Sequence, residues 1–179
     1  MLNTYIALFR GINVGGKNLL PMNELVEILD NLGYKNIQTY IQSGNIIFCS
    51  KDINKEKIAD NISKGVLKKK GFQPKVLLLR EAQLQEAIKN NPFPTNNPKA
   101  LHLFFLESKP RQPDIEHLNS IKTKTEEFKF SKVVFYLYTP DGIGRSKLAA
   151  AIEKAMGVPV TGRNWNTVSK LNSMIKRAQ

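Results

Sequence analysis

Three short polar segments of this chain carry the residue types that hold anions. The first is Gly11-Ile12-Asn13-Val14-Gly15-Gly16-Lys17-Asn18, which fits G-x-x-x-x-G-K over seven positions. In a phosphate-binding loop, backbone N–H groups cradle the phosphates, the lysine reaches the outer ones, and a following Ser or Thr binds Mg²⁺. Here the eighth position is Asn18. A loop of that kind also opens its helix at the lysine, whereas Pro21 delays the helix by several residues. Nucleotide hydrolysis is therefore not expected. A looser anion-binding reading survives. Gly15 and Gly16 permit close backbone approach, Arg10 and Lys17 supply charge, and Asn13 supplies an amide. The alternative is a tight left-handed loop with two solvated cations.

The second segment is Asp141-Gly142-Ile143-Gly144-Arg145-Ser146-Lys147. Ser146 is suited to cap a following helix, and the free N–H groups of that first turn, with Arg145 and Lys147, make an anion pocket. The plainer reading is a capped strand-to-helix connection. The third is Thr161-Gly162-Arg163-Asn164-Trp165-Asn166-Thr167, which holds the only tryptophan. Trp165 and Arg163 can stack on bases, and Asn164 can read a base edge. Alternatively Trp165 plugs a core, and Asn164 or Asn166 caps the last helix.

Signals for covalent or metal chemistry are sparse. His102 falls in a strand-like run and His117 on a polar helix face. Neither has metal-ligand spacing. There is no H-x-x-x-H, paired cysteine or G-x-S-x-G, and no cofactor motif. Ser43, in Gln42-Ser43-Gly44-Asn45, reads as a turn serine. Asp141 is the nearest acid to the polar loops and reads as a turn residue. Cys49 is the only cysteine and sits in the apolar run Ile46-Ile47-Phe48-Cys49, so a buried structural thiol is expected. A chain with no possible internal disulfide suits a reducing compartment. With neither a leader-like start nor a long apolar run, a cytoplasmic protein without a membrane partner is expected.

These segments hang on an ordinary globular composition. Of 179 residues, 41% are hydrophobic and 23% charged. Collagen-like, disulfide-stapled and wholly disordered chains are excluded. The net charge is +12, from 27 Lys and Arg against 15 Asp and Glu. Residues 1–90 carry 13 basic and 8 acidic groups, a net +5. Residues 91–179 carry 14 and 7, a net +7. The charge is spread along the chain and favours phosphate-bearing partners, although a solvated basic surface explains it too.

The elements follow from periodicity. Tyr5 to Phe9 is an apolar strand. Pro21 opens a helix whose Leu25, Ile28, Leu29 and Leu32 share one face, and Gly33 ends it. Ile37 to Ile41 and Asn45 to Cys49 form a hairpin. A helix with Ile58, Ile62 and Val66 ends near Gly71. Val76 to Leu79 is a strand, and Leu84, Ala87 and Ile88 mark a helix. The prolines of 92–98 read as a break. The order then repeats: strand Leu101 to Leu106, a helix at Ile115 to Ile121, and strands Glu127 to Phe130 and Val133 to Tyr138. A helix ending at Gly157, a short strand near Val158 to Thr161, and a final helix from Trp165 to Ala178 complete it. The fold class is α+β: two ferredoxin-like (split βαβ) halves with antiparallel sheets, plus a C-terminal helix. The halves are 1–91 and 99–179.

Six ordered segments resemble one family: YIALFRGINVGGKN, PMNEL, TYIQSGNIIF, NPFP with LHLFFL, PDGIGRSKL, and TGRNWNTVSKL. Together they look like the domain-of-unknown-function 1697 family, from about Tyr5 to Leu171. The resemblance implies a small cytosolic bacterial-type α+β protein. It implies no activity and carries no catalytic residue across.

The reading is a binding protein for nucleic acid or a phosphorylated small molecule, through a cationic cleft. Its candidate residues are Arg10, Asn13, Lys17, Arg145, Ser146, Lys147, Arg163, Asn164 and Trp165. The alternatives are an enzyme acting on a small phosphorylated or acidic metabolite, and a protein-interaction module.

Overall fold

The computed structural model describes residues 2–177. β1 (Asn3–Arg10) is buried from Tyr5 through Phe9, as its unbroken apolar run requires. α1 (Met22–Asn31) starts directly after Pro21. It ends where Gly33 turns left-handed and the Tyr34 N–H donates to the Leu29 carbonyl. β2 (Lys35–Tyr40) and β3 (Asn45–Ser50) form the expected hairpin. α2 (Lys55–Lys70) is capped by Asn54, whose side chain accepts from the Lys57 N–H at 2.8 Å. β4 (Lys75–Arg80) and α3 (Glu81–Lys89) follow.

The first sheet has the order β2-β3-β1-β4, with every neighbouring pair antiparallel. β3 thus sits between β2 and β1, the split β-α-β arrangement. The core between this sheet and its helices contains Tyr5, Ala7, Phe9, Leu25, Leu29, Ile46, Phe48, Ile58 and Ile62. Two ion pairs, Glu24–Lys70 at 2.8 Å and Glu27–Lys69, join α1 to the end of α2.

β5 (Leu101–Leu106), α4 (Ile115–Ile121), β6 (Glu127–Ser131), β7 (Val134–Tyr138), α5 (Lys147–Met156), β8 (Val160–Asn164) and α6 (Trp165–Arg177) repeat the order. The second sheet runs β6-β7-β5-β8, again all antiparallel, so the duplication read from element order is real at the level of topology. Its core contains Leu106, Leu118, Phe135, Leu137, Leu148 and Ile152. Gly162 leaves room for the Phe104 ring, which would lie 2.8 Å from an added Cβ.

The chain divides into two compact units. One runs through Glu86 and takes in the residues from Leu171 onward; the other is Ala87–Lys170. The proline-rich segment 92–98 therefore lies inside the second unit, where the Phe93 ring stacks on Tyr138 at 6.0 Å. The end of α6 belongs to the first, where the Gln85 amide donates to Asn172 Oδ1 at 2.6 Å. The last short strand begins at Val160 rather than Val158. Ala178, the expected end of the last helix, lies outside the described residues.

The expectation of a buried thiol needs correction. Alternation along β3 turns Phe48 into the core and Cys49 to the other side, where it is half-buried. Its sulfur lies 3.7 Å from Thr4 Oγ1 and 3.8 Å from Asn36 Nδ2.

Burial on both sheet faces matters for function. Tyr5, Ala7 and Phe9 alternate with Ile6 and Leu8, and all five are buried. On β5, Leu101, Leu103 and Phe105 are buried on one side, with His102 and Leu106 on the other. A nucleic acid cannot stack on the central strands, as it does on the open sheets of some RNA-binding modules. Binding is left to strand ends, sheet edges and helix termini.

Candidate functional site

The loop after β1 is a closed structure of its own. Five of its eight residues, Gly11, Asn13, Gly15, Gly16 and Asn18, have left-handed backbone. Val14 and Lys17 form an isolated bridge, and the Lys17 N–H donates to the Val14 carbonyl at 3.1 Å. The Asn13 N–H donates to the Asn18 carbonyl, and the Asn18 side chain returns to the Gly11 carbonyl at 2.9 Å. This is a miniature hairpin. Its Lys17 N–H is already engaged, and the helix begins five residues later at Met22. The match to a phosphate-binding loop is therefore one of letters only.

Asn13 holds that hairpin to the β2–β3 turn. Its Nδ2 donates to the Leu20 carbonyl at 2.9 Å and to the Gln42 carbonyl at 2.7 Å, and its Oδ1 accepts from the Leu20 N–H at 2.8 Å. Both amide protons are thus used within the protein. Close by, the Phe9 N–H donates to the Gly44 carbonyl at 2.8 Å. Gly44 lies so near β1 that an added Cβ would stand 2.5 Å from Phe9 Cβ and 2.6 Å from Ile12 Cδ1. The buried Asn45 amide donates to the Tyr40 carbonyl and to Ser43 Oγ. Ser43 is thereby a turn residue, as its surroundings in the sequence suggested. Sequence reasoning missed Gly44 and the Gln42 carbonyl as partners of the glycine-rich loop. The available signal was the Gly44-Asn45 pair at the head of β3.

In the second unit, two of the polar segments leave the sheet at one end. β7 and β8 both flank β5, with Tyr138 opposite Leu101 and Asn164 opposite His102. Their last residues thus lie on either side of the start of β5, about 10 Å apart at ordinary strand spacing. After β7, Asp141 accepts from Thr125 Oγ1 at 2.6 Å and a 3₁₀ turn covers Ile143–Arg145. The buried Ser146 hydroxyl then caps α5 by accepting from the Ala149 N–H at 2.9 Å. Arg145 and Lys147 are exposed. After β8, Asn164 Oδ1 caps α6 by accepting from the Thr167 N–H at 3.0 Å. Trp165 is half-buried at the first position of that helix. Arg163 is half-buried, and its guanidinium donates to the Gly162 carbonyl at 2.8 Å. Burial pushes its pKa down to about 10, which leaves it charged at neutral pH. Arg10, Asn13 and Lys17 belong to the first unit.

The two histidines differ. His117 is exposed on α4. His102 is buried, with Nδ1 3.4 Å from the Ala100 carbonyl, and burial lowers its pKa while that carbonyl partly opposes the shift. The unfolded chain therefore takes up the proton first as pH falls through about 6.5. Stability is full above that pH and declines below it, towards the lower folded-state pKa. Thermal unfolding followed from pH 7 to pH 5 should show a shallower loss in His102→Leu than in the parent chain. Equal slopes would remove His102 as the cause.

Among the described residues, no group of three His, Cys, Asp or Glu side chains could hold a metal ion. No described helix is long and apolar enough to cross a membrane.

The family model described as "Protein of unknown function (DUF1697)" matches residues 2–136 of the 179. The chain belongs to that family. The DUF1697 match takes in the hairpin loop, the β2–β3 turn and most of β7, and it ends before the Arg145 and Arg163 segments. Among solved structures, the chain is similar to the conserved bacterial protein SP0830 from Streptococcus pneumoniae. The two are 26% identical with a TM-score of 0.68, over 97% of this chain and 99% of that one. Comparison with curated proteins returns no match. A DUF1697 assignment brings no activity with it.

Proposed function

We propose that this protein is a cytoplasmic binding protein for phosphate-bearing ligands, nucleic acid foremost. The residues we assign to the ligand are Arg145, Lys147, Arg163 and Trp165. The observation that supports this is the strand register, in which β7 and β8 end beside the same end of β5. Two exposed cations and an indole then leave the sheet at that end, close in sequence to the half-buried Arg163 of β8. Arg145 and Lys147 meet phosphate oxygens beside the first turn of α5. Trp165 offers a face for a base. The net charge of +12 adds a sequence-independent attraction. Ser146 and Asn164 shape the surface by capping its two helices.

The test is binding of a mixed single-stranded RNA and of duplex DNA across a salt series. Arg145→Ala with Lys147→Ala should lower the salt slope on RNA by about 1.4, near 0.7 for each phosphate no longer neutralised. The control is Lys109→Ala with Arg111→Ala, which removes the same charge after the opposite end of β5. If both pairs weaken binding equally, the attraction is diffuse and the proposal fails. Absence of binding by the parent chain at low salt also rejects it.

A further inference from the structure

The end of the first unit that carries the hairpin loop has a feature that anion binding does not require. Val14 is 67% exposed, Leu19 59% and Ile41 51%. Each is next in sequence to a residue joined by the Asn13 side chain: Asn13 itself, Leu20 and Gln42. Three exposed aliphatic residues thus flank one hydrogen-bonded junction. Ile41 also has φ +50°, a left-handed conformation that β-branched residues avoid. Strain of this kind is maintained only where surrounding structure imposes it, and it concentrates at functional sites.

The segments that build the junction carry charge of one sign. Residues 1–23 and 31–51, which build the loop and the hairpin, contain no Asp or Glu. Lys17 is exposed on the loop, and Lys75 is exposed at the same end of the sheet. The acids of α1 that come first after the loop in sequence, Glu24 and Glu27, are paired with Lys70 and Lys69. A complementary occupant must be both acidic and apolar.

The adjoining strand indicates what kind of molecule that is. β2 is at the edge of its sheet and pairs only with β3. Its register is irregular between Lys35 and Gln38, but Gln38 to Tyr40 pairs regularly and has neither charge nor proline. These are features that usually blunt an edge. The row leads straight into Ile41. An edge of this kind offers backbone pairing, which a polypeptide can use and a lipid or nucleic acid cannot.

We propose that this end of the first unit docks an acidic, extended segment of another protein, which adds to β2 and rests its apolar side chains on Val14, Leu19 and Ile41. The test is selection from a random peptide library displayed on phage, against the parent chain and a Val14→Ser, Leu19→Ser, Ile41→Asn variant. Thermal unfolding first confirms that the variant folds; Ile41→Asn alone should raise the melting temperature, because Asn tolerates left-handed backbone. The expected enrichment is for peptides that mix Asp or Glu with aliphatic residues. The synthesised consensus should bind the parent at least about tenfold tighter than the variant, a difference of about 1.4 kcal/mol. It should shift the backbone amide resonances of Gln38 to Tyr40. Phosphatidylserine vesicles and single-stranded RNA are carried in parallel. Selection of neutral or basic peptides, no selection at all, or unchanged β2 amides would overturn the proposal. So would vesicle or RNA binding that depends on the three aliphatics while the peptide does not.

Discussion

Replacing Gly44 by alanine should destabilise the protein by about 3 kcal/mol or more. Two effects add. The residue has φ +71°, where an L side chain costs about 1–2 kcal/mol. The new methyl would also meet Phe9 Cβ at 2.5 Å and Ile12 Cδ1 at 2.6 Å. Phe9 Cβ is fixed to the backbone of β1 and cannot swing aside, so overpacking contributes about 1–3 kcal/mol more. For a chain of this size, that corresponds to a melting temperature lower by about 6–12 °C. Thermal unfolding by circular dichroism measures it. A loss under about 1 kcal/mol would show that the turn relaxes away from β1 at little cost.

Asn13→Ala is the second large effect, and it acts through polarity rather than volume. The substitution removes two donated bonds and one accepted bond. It leaves the N–H and C=O of Leu20 and the C=O of Gln42 to find other partners. Each such bond is worth about 1 kcal/mol, and a buried orphan costs about 1–3 kcal/mol. Alanine at φ +55° adds strain. A total near 3 kcal/mol is expected, together with faster amide exchange across the hairpin loop and the β2–β3 turn. Asn13→Gly separates the contributions, since glycine accepts the left-handed backbone but restores none of the bonds. It should recover about 1 kcal/mol and leave the exchange fast. If amide exchange at Leu20 and Gln42 stays at the parent rate in both variants, Asn13 does not hold the two loops together.

Both predictions concern residues in the segments YIALFRGINVGGKN and TYIQSGNIIF. The density of glycine and asparagine there first reads as an anion-binding loop and, separately, as a hairpin turn. In the folded protein the two are partners, and Asn13 spends its amide on the chain itself. What they jointly present is a firm platform carrying Lys17 and three exposed aliphatics.

The element order, the cap at Ser146, an asparagine cap for the last helix at Asn164 or Asn166, and the split β-α-β repeat were all legible from sequence. Apolar spacing, capping side chains and helix-ending glycines act within a few residues, so their consequences can be read locally. The mismatch of G-x-x-x-x-G-K with nucleotide chemistry was legible too, because Pro21 already postponed the helix. Tertiary structure decided the rest. The Asn13–Gln42 bond spans 29 positions, and it forms only because antiparallel pairing sets Leu8 opposite Asn45 and so brings the loop after β1 over the β2–β3 turn. Likewise the shared end of β7 and β8 depends on both strands choosing β5 as a neighbour. Burial on both faces of the central strands, the side to which Cys49 turns, and the grouping of the residues from Leu171 onward with the first unit are also products of strand pairing and packing. Those choices are made between residues far apart in sequence, where no local spacing rule operates.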